Sequence, residues 1–122
     1  MTPPGTDAEA LEAVAAAIVA AGRELTAIKD SPGFVALRIL AMIANLGCEM
    51  AQIGIAAPPE IDTAMKLGLN YPKWPLEIAD EIGPRRLMTA LEELQTITGD
   101  DRYRPSLWLR RRAQLGLPIN VA

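Results

Sequence analysis

The stretch from Phe34 to Ile53 constrains this chain more than any other. It carries no proline, and its strongly polar residues are Arg38, Asn45, Glu49 and Gln52, spaced seven, four and three apart. On a helix those four positions fall in one narrow stripe and leave most of the circumference apolar. A helix with so wide an apolar surface is buried on more than one side. In a chain of 122 residues that means a central helix, a subunit contact, or both. The same four side chains argue against reading the stretch as a membrane span.

The rest of the composition agrees with packed helices. Half of the residues are apolar, yet there are only two Trp, two Tyr and one Phe. The core must therefore come from Leu, Ile, Val, Met and Ala, whereas a β-sandwich would draw on many more β-branched and aromatic residues. A net charge of −3 argues against a general nucleic-acid binder. There is no His, which removes the commonest acid–base group and the commonest metal ligand together. The single Cys48 supports neither an internal disulfide nor a thiolate metal site, and points to a reduced, cytoplasmic setting. Met1 to Gly5 has no signal-peptide character.

Thr6-Asp7-Ala8-Glu9 reads as a capping box. It opens a helix through Leu11, Val14, Ala15, Ile18 and Val19, with Gly22 as its stop. Leu25 to Ile28 reads as a short strand whose hydrogen-bonding groups need a partner outside the chain. Asp30 to Gly33 is a turn leading into the long helix, which ends at Gly54. Pro59 suits the first turn of the next helix, with Gly68 as its end. Asn70 to Pro75 is a rigid loop, followed by helices that stop at Gly83 and Gly99 and a last one capped by Ser106. The expected fold is all-α: five to six helices around one long central helix, with a helix-strand appendage at the front.

Five segments in order carry a family resemblance. They are Asp30-Ser31-Pro32-Gly33-Phe34-Val35, then Arg38, then Ile61-Asp62-Thr63-Ala64-Met65-Lys66-Leu67-Gly68, then Tyr71-Pro72 with Pro75-Leu76, and finally Arg102-Tyr103-Arg104-Pro105-Ser106. Together they resemble the C-terminal domain of the 3-hydroxyacyl-CoA dehydrogenases. The resemblance covers roughly residues 8 to 115. It implies that residues 1–29 correspond to the end of a nucleotide-binding domain, 30–116 to the helical domain and 117–122 to a tail. The family oxidises L-3-hydroxyacyl-CoA with NAD in β-oxidation and related pathways, and its helical domain helps form the substrate cleft and the dimer interface.

The departures carry equal weight. Where the family has a catalytic Asn, this chain has Leu37, which can neither donate nor accept a hydrogen bond. Trp74 stands where the family has Gly, and Leu117 to Ala122 replaces its basic, glycine-rich tail. The pattern is most similar to the degenerate second repeat of longer bacterial enzymes of the family, including those of phenylacetate breakdown, which packs against the catalytic repeat. With no G-x-G-x-x-G run there is no recognisable pyrophosphate site, so no bound NAD is expected in this chain. Neither catalytic nor metal-ligating residues are assigned.

The remaining candidates each have two readings. Asp62, Glu77, Asp80 and Glu81 are acid–base candidates or, more simply, a solvated face with helix-favouring charge. Arg38, Arg104 and Arg110 are substrate-binding candidates, since a guanidinium group binds phosphate bidentately and the family's ligand is an acyl-CoA. Arg102, Arg104 and Arg110 to Arg112 are equally a solvated basic cluster at a helix end. Tyr71 and Trp74 are partner anchors if exposed and a plug if buried. Phe34, Leu40, Ile43, Leu46 and Met50 are core first, and interface residues if one domain cannot cover them. The expected partner is a second copy or a dehydrogenase catalytic domain.

Overall fold

A computed structural model of the chain describes residues 4–70 and 73–121. Among them are six α-helices and no strand: α1 (Ala8–Ala20), α2 (Ala36–Gln52), α3 (Pro58–Leu69), α4 (Pro75–Ile82), α5 (Pro84–Thr98) and α6 (Leu107–Leu115). A short 3-10 turn, Asp101–Tyr103, precedes α6.

Proline and glycine set most of the helix ends. Proline opens α3, α4 and α5, where its missing amide costs nothing. Gly99 and Gly116 close α5 and α6 in the left-handed conformation. The Ser106 hydroxyl accepts the amide of Leu109 at 3.3 Å and starts α6.

Helix α2 lies at the centre and packs against α3, α4, α5 and α6. Its buried side is small: Ala41, Ala44, Gly47, Cys48 and Ala51. Larger residues from the surrounding helices fill the space, among them Ile61, Leu76, Leu87, Leu91 and Leu109. Gly47 permits the closest approach, because a Cβ there would lie 2.8 Å from Leu76 Cδ2. Tyr103 is fully buried, and Ile119 from the tail completes the core.

Three local expectations change. The N-cap of α1 is Asp7 rather than Thr6, and its carboxylate accepts the Glu9 amide at 3.3 Å. Leu25 to Ile28 is irregular and exposed rather than a strand, because no described segment offers it a pairing edge. Helix α3 runs through Gly68 to Leu69 and ends on Asn70, the non-glycine residue that best tolerates the left-handed turn (φ 52°). Helix α1 buries no residue of its own, so Leu11, Val14 and Val19 face outward.

Candidate functional site

The polar stripe of α2 is a clamp. Arg38, Asn45 and Gln52 stand two helical turns apart in succession, and all three reach the segment between Tyr103 and Trp108. Arg38 Nε donates to the Tyr103 hydroxyl, and its Nη1 donates to Ser31 Oγ at 3.1 Å. Asn45 Nδ2 donates to the Arg104 carbonyl at 2.9 Å, while its Oδ1 accepts the Ser106 amide at 2.8 Å. Gln52 Oε1 accepts the Trp108 amide at 2.9 Å. Asn45 and Ser106 are buried, so these bonds satisfy groups that water does not reach.

Because one side of α2 holds the core and the stripe holds the 103–108 segment, the opposite side is left open. Ile39, Ile43, Leu46, Met50 and Ile53 recur four, three, four and three residues apart along it. Leu46 is 58% exposed and Ile53 63% exposed, while Ile43 and Met50 are half-buried. Phe34, Val35 and Leu40 extend the apolar surface at the N-terminal end. Leu37 is also exposed there. Phe34 adopts a positive φ of 54°, uncommon for a bulky side chain, next to Gly33 at 73°. Gly33 sits against Leu94 of α5, which fixes the turn into α2.

Two hollows flank this face. One, of about 470 Å³, is lined by Met42, Ile43, Leu46 and Glu49 together with Arg102 and Arg104. The second, of about 350 Å³, lies between Gln52, Leu107 and Arg110 and shares Glu49 and Arg104 with the first. The three arginines named from the sequence are therefore not equivalent. Arg38 is committed to Ser31 and Tyr103, and its guanidinium stands 5.4 Å from the Tyr103 ring centroid. Arg110 pairs with Glu92 at 2.9 Å. Arg104 is exposed and lines both hollows.

Two of the four candidate carboxylates serve the backbone. Asp62 Oδ1 accepts the Leu76 amide at 2.7 Å and its Oδ2 the Glu77 amide at 3.2 Å, which starts α4. Burial raises its carboxyl above the ordinary value, against the lowering effect of those two hydrogen bonds. Asp80 likewise holds two amides, those of Ile119 and Asn120. Glu81 bridges to Lys73 at 2.7 Å in solvent, and that bond raises the lysine. No group of three or more His, Cys, Asp or Glu that could hold a metal ion occurs among the described residues. Trp74 is half-buried at the start of α4, with the Lys66 ammonium 5.2 Å from its ring. Tyr71 lies outside the described residues.

Sequence reasoning did not anticipate the reach of Asn45 and Gln52 or the seating of Ile119. The seven-residue spacing of 38, 45 and 52 was the available signal for the first. Nothing in the sequence marks the second.

Residues 33–118 match the family described as "3-hydroxyacyl-CoA dehydrogenase, C-terminal domain". The chain is 44% identical over 94 residues to the 3-hydroxyadipyl-CoA dehydrogenase of Escherichia coli K12, a match covering 77% of this chain and 20% of that one. The crystal structure of an (S)-3-hydroxybutyryl-CoA dehydrogenase from Ralstonia eutropha superposes with a TM-score of 0.86 at 37% identity, over 93% of this chain and 40% of that one. A 3-hydroxybutyryl-CoA dehydrogenase structure from Escherichia coli K12 gives 0.81 at 38% identity, over 92% and 24% respectively. This chain thus corresponds to a minor part of each of these longer proteins.

Proposed function

The chain belongs to the 3-hydroxyacyl-CoA dehydrogenase C-terminal domain family, and from that premise we propose that it is the assembly domain of such a dehydrogenase, inactive alone and built to pair through the open face of α2. The observation that carries this reading is the exposed apolar row Ile39, Leu46 and Ile53 on the side of α2 away from its buried alanines, continued by Ile43 and Met50, which lean partly onto the core. A row with alternating spacings of four and three is the pattern by which one helix packs along another. An isologous contact with a second copy covers the row on both chains at once.

The chemistry is the business of the rest of the enzyme. The dehydrogenation takes a hydroxyl proton and a hydride, and NAD supplies the hydride acceptor. Leu37 provides no hydrogen bond at the family's asparagine position, and with no His in the chain the general base comes from elsewhere. The domain's part is to complete the assembly and one wall of the substrate cleft. The pathway is β-oxidation of fatty-acid or phenylacetate type, in keeping with the similarity to a 3-hydroxyadipyl-CoA dehydrogenase.

Leu46→Asp tests the interface. It places a charge in the middle of the row without touching the core, so sedimentation velocity should show the paired species lost while the helical circular dichroism stays unchanged. Association unaffected by the substitution would remove the reading. Inactivity alone is checked by following NADH absorbance with a 3-hydroxyacyl-CoA and NAD, for which a flat trace is expected.

The exposure of Arg104 between two hollows supports a second reading, a docking point for the phosphates of an acyl-CoA. It predicts saturable, salt-sensitive binding of acetyl-CoA that Arg104→Ala weakens. A flat calorimetric titration would end it.

A further inference from the structure

The last described residues are held as if they were a bound peptide. Asp80 Oδ1 accepts the Ile119 amide at 2.6 Å and Oδ2 the Asn120 amide at 3.1 Å, so one carboxylate grips two successive backbone donors. From the other side, Trp108 Nε1 donates to the Ile119 carbonyl at 3.1 Å, and Arg112 Nη2 donates to the Val121 carbonyl at 2.8 Å. The Arg112 guanidinium also stacks on the Trp108 ring, 3.3 Å from its centroid. Between these clamps the Ile119 side chain is fully buried.

The clamps belong to two helices that scarcely meet. Asp80 is on α4, and Trp108 and Arg112 are on α6. Each helix packs against α2 and α5, with little direct packing between α4 and α6 themselves. Residues 119–121 therefore bridge an opening that the helices leave. Cys48, on α2, belongs to the same buried cluster as Ile119. Its thiol bonds to the Ser106 side chain and feels the charges of Arg112 and Asp80, the residues that hold the bridging segment. The thiol is fully covered.

We propose that residues 119–121 are a latch, a segment that opens by itself while the helices stay folded and so governs access to the α4–α6 opening and to Cys48. Its few anchoring groups favour local opening. Ile119 is the one side chain of the segment in the core, and four hydrogen bonds to three side chains hold the backbone. Segments with few buried contacts open at a lower free energy than the whole domain. By contrast, Leu87, Leu91 and Leu94 anchor α5 along its length, so its central amides are expected to exchange only when the domain unfolds.

The single cysteine makes the proposal measurable on the intact chain. A covered thiol reacts with a maleimide only from open states, so its labelling rate under native conditions reports how often the path to it opens. In the same sample, hydrogen exchange at the Leu91 amide reports global unfolding. Labelling is expected to indicate more frequent opening than Leu91 exchange does, and to depend only weakly on low urea. Asp80→Asn should speed labelling by about tenfold, the effect of weakening a charge-assisted grip on two amides, with a much smaller change at Leu91. Labelling that tracks Leu91 exchange in the unmodified chain and in Asp80→Asn alike, with the same urea dependence, would overturn the latch.

Discussion

Replacing Asp62 by Ala tests whether the run Ile61 to Gly68 serves architecture here. Asp62 is 1% exposed and joins α3 to the start of α4 through the amides of Leu76 and Glu77. Truncation removes an N-terminal cap, at a cost of about 0.5–2 kcal/mol. It also strands the Leu76 amide in a buried setting, and an unsatisfied buried donor costs about 1–3 kcal/mol. The two contributions overlap, because one of the lost bonds is itself the cap, and relief of the carboxylate's desolvation offsets part of them. The expected loss is about 2–3 kcal/mol, which lowers the unfolding midpoint by roughly 8–12 °C in a domain of this size. Asp62→Asn keeps one acceptor and should lose less. The pH dependence supplies a separate check. Burial holds the Asp62 carboxyl above its ordinary value of 3.8, so the folded state binds this proton more tightly than the unfolded state does. The resulting stabilisation is fully present below that ordinary value and is lost as pH rises through the folded one. The unmodified chain should therefore gain on Asp62→Asn as pH falls from neutral toward the ordinary carboxylate range. Thermal melts at several pH values read this directly. A truncation costing less than about 0.5 kcal/mol, the size of a neutral surface change, would refute the structural role. A gap that narrows on acidification would show that hydrogen bonds, not burial, dominate the carboxyl.

Other perturbations sort buried from exposed polar contacts. Asn45→Ala strands the buried Ser106 amide and should cost about 2 kcal/mol in urea unfolding, whereas Arg110→Ala breaks only a part-exposed pair with Glu92 and should cost about 0.5 kcal/mol or less. Gly47→Ala improves helix propensity by about 1 kcal/mol, but its Cβ meets Leu76 at 2.8 Å, and overpacking of about 1–3 kcal/mol should win; a net gain in stability would show that Leu76 yields. Burial pushes the Cys48 thiol up to about 12, so its maleimide labelling at pH 8 should be far slower than that of a free thiol and should rise only when the thiol is uncovered, as comparison with an unstructured cysteine peptide will show.

The helix ends set by Pro59, Gly83, Gly99 and Ser106 were legible in the sequence because each residue acts on its own stretch of backbone. So was the excess of apolar surface on α2, which follows from counting faces. What those faces do was less legible. Arg38, Asn45 and Gln52 look like a solvated stripe, yet they bind a segment more than fifty residues further on. Periodicity places side chains on a face without naming what the face meets. Leu25 to Ile28 failed for the opposite reason, since a strand needs an edge to pair with and local β-propensity does not supply one. Asn70 in place of Gly68 shows a helix continuing through a glycine that no steric demand required it to end on. Ile119 had no periodic context at all, and only the clamps from Asp80, Trp108 and Arg112 account for its burial.

The central claim is that the open face of α2 is an interface, and the molar mass of the purified chain in solution tests it most directly. Static light scattering across a concentration series should give twice the 13.1 kDa of one chain. A mass that stays at 13.1 kDa at every concentration, with the Ile39 to Ile53 row open to solvent, would contradict it.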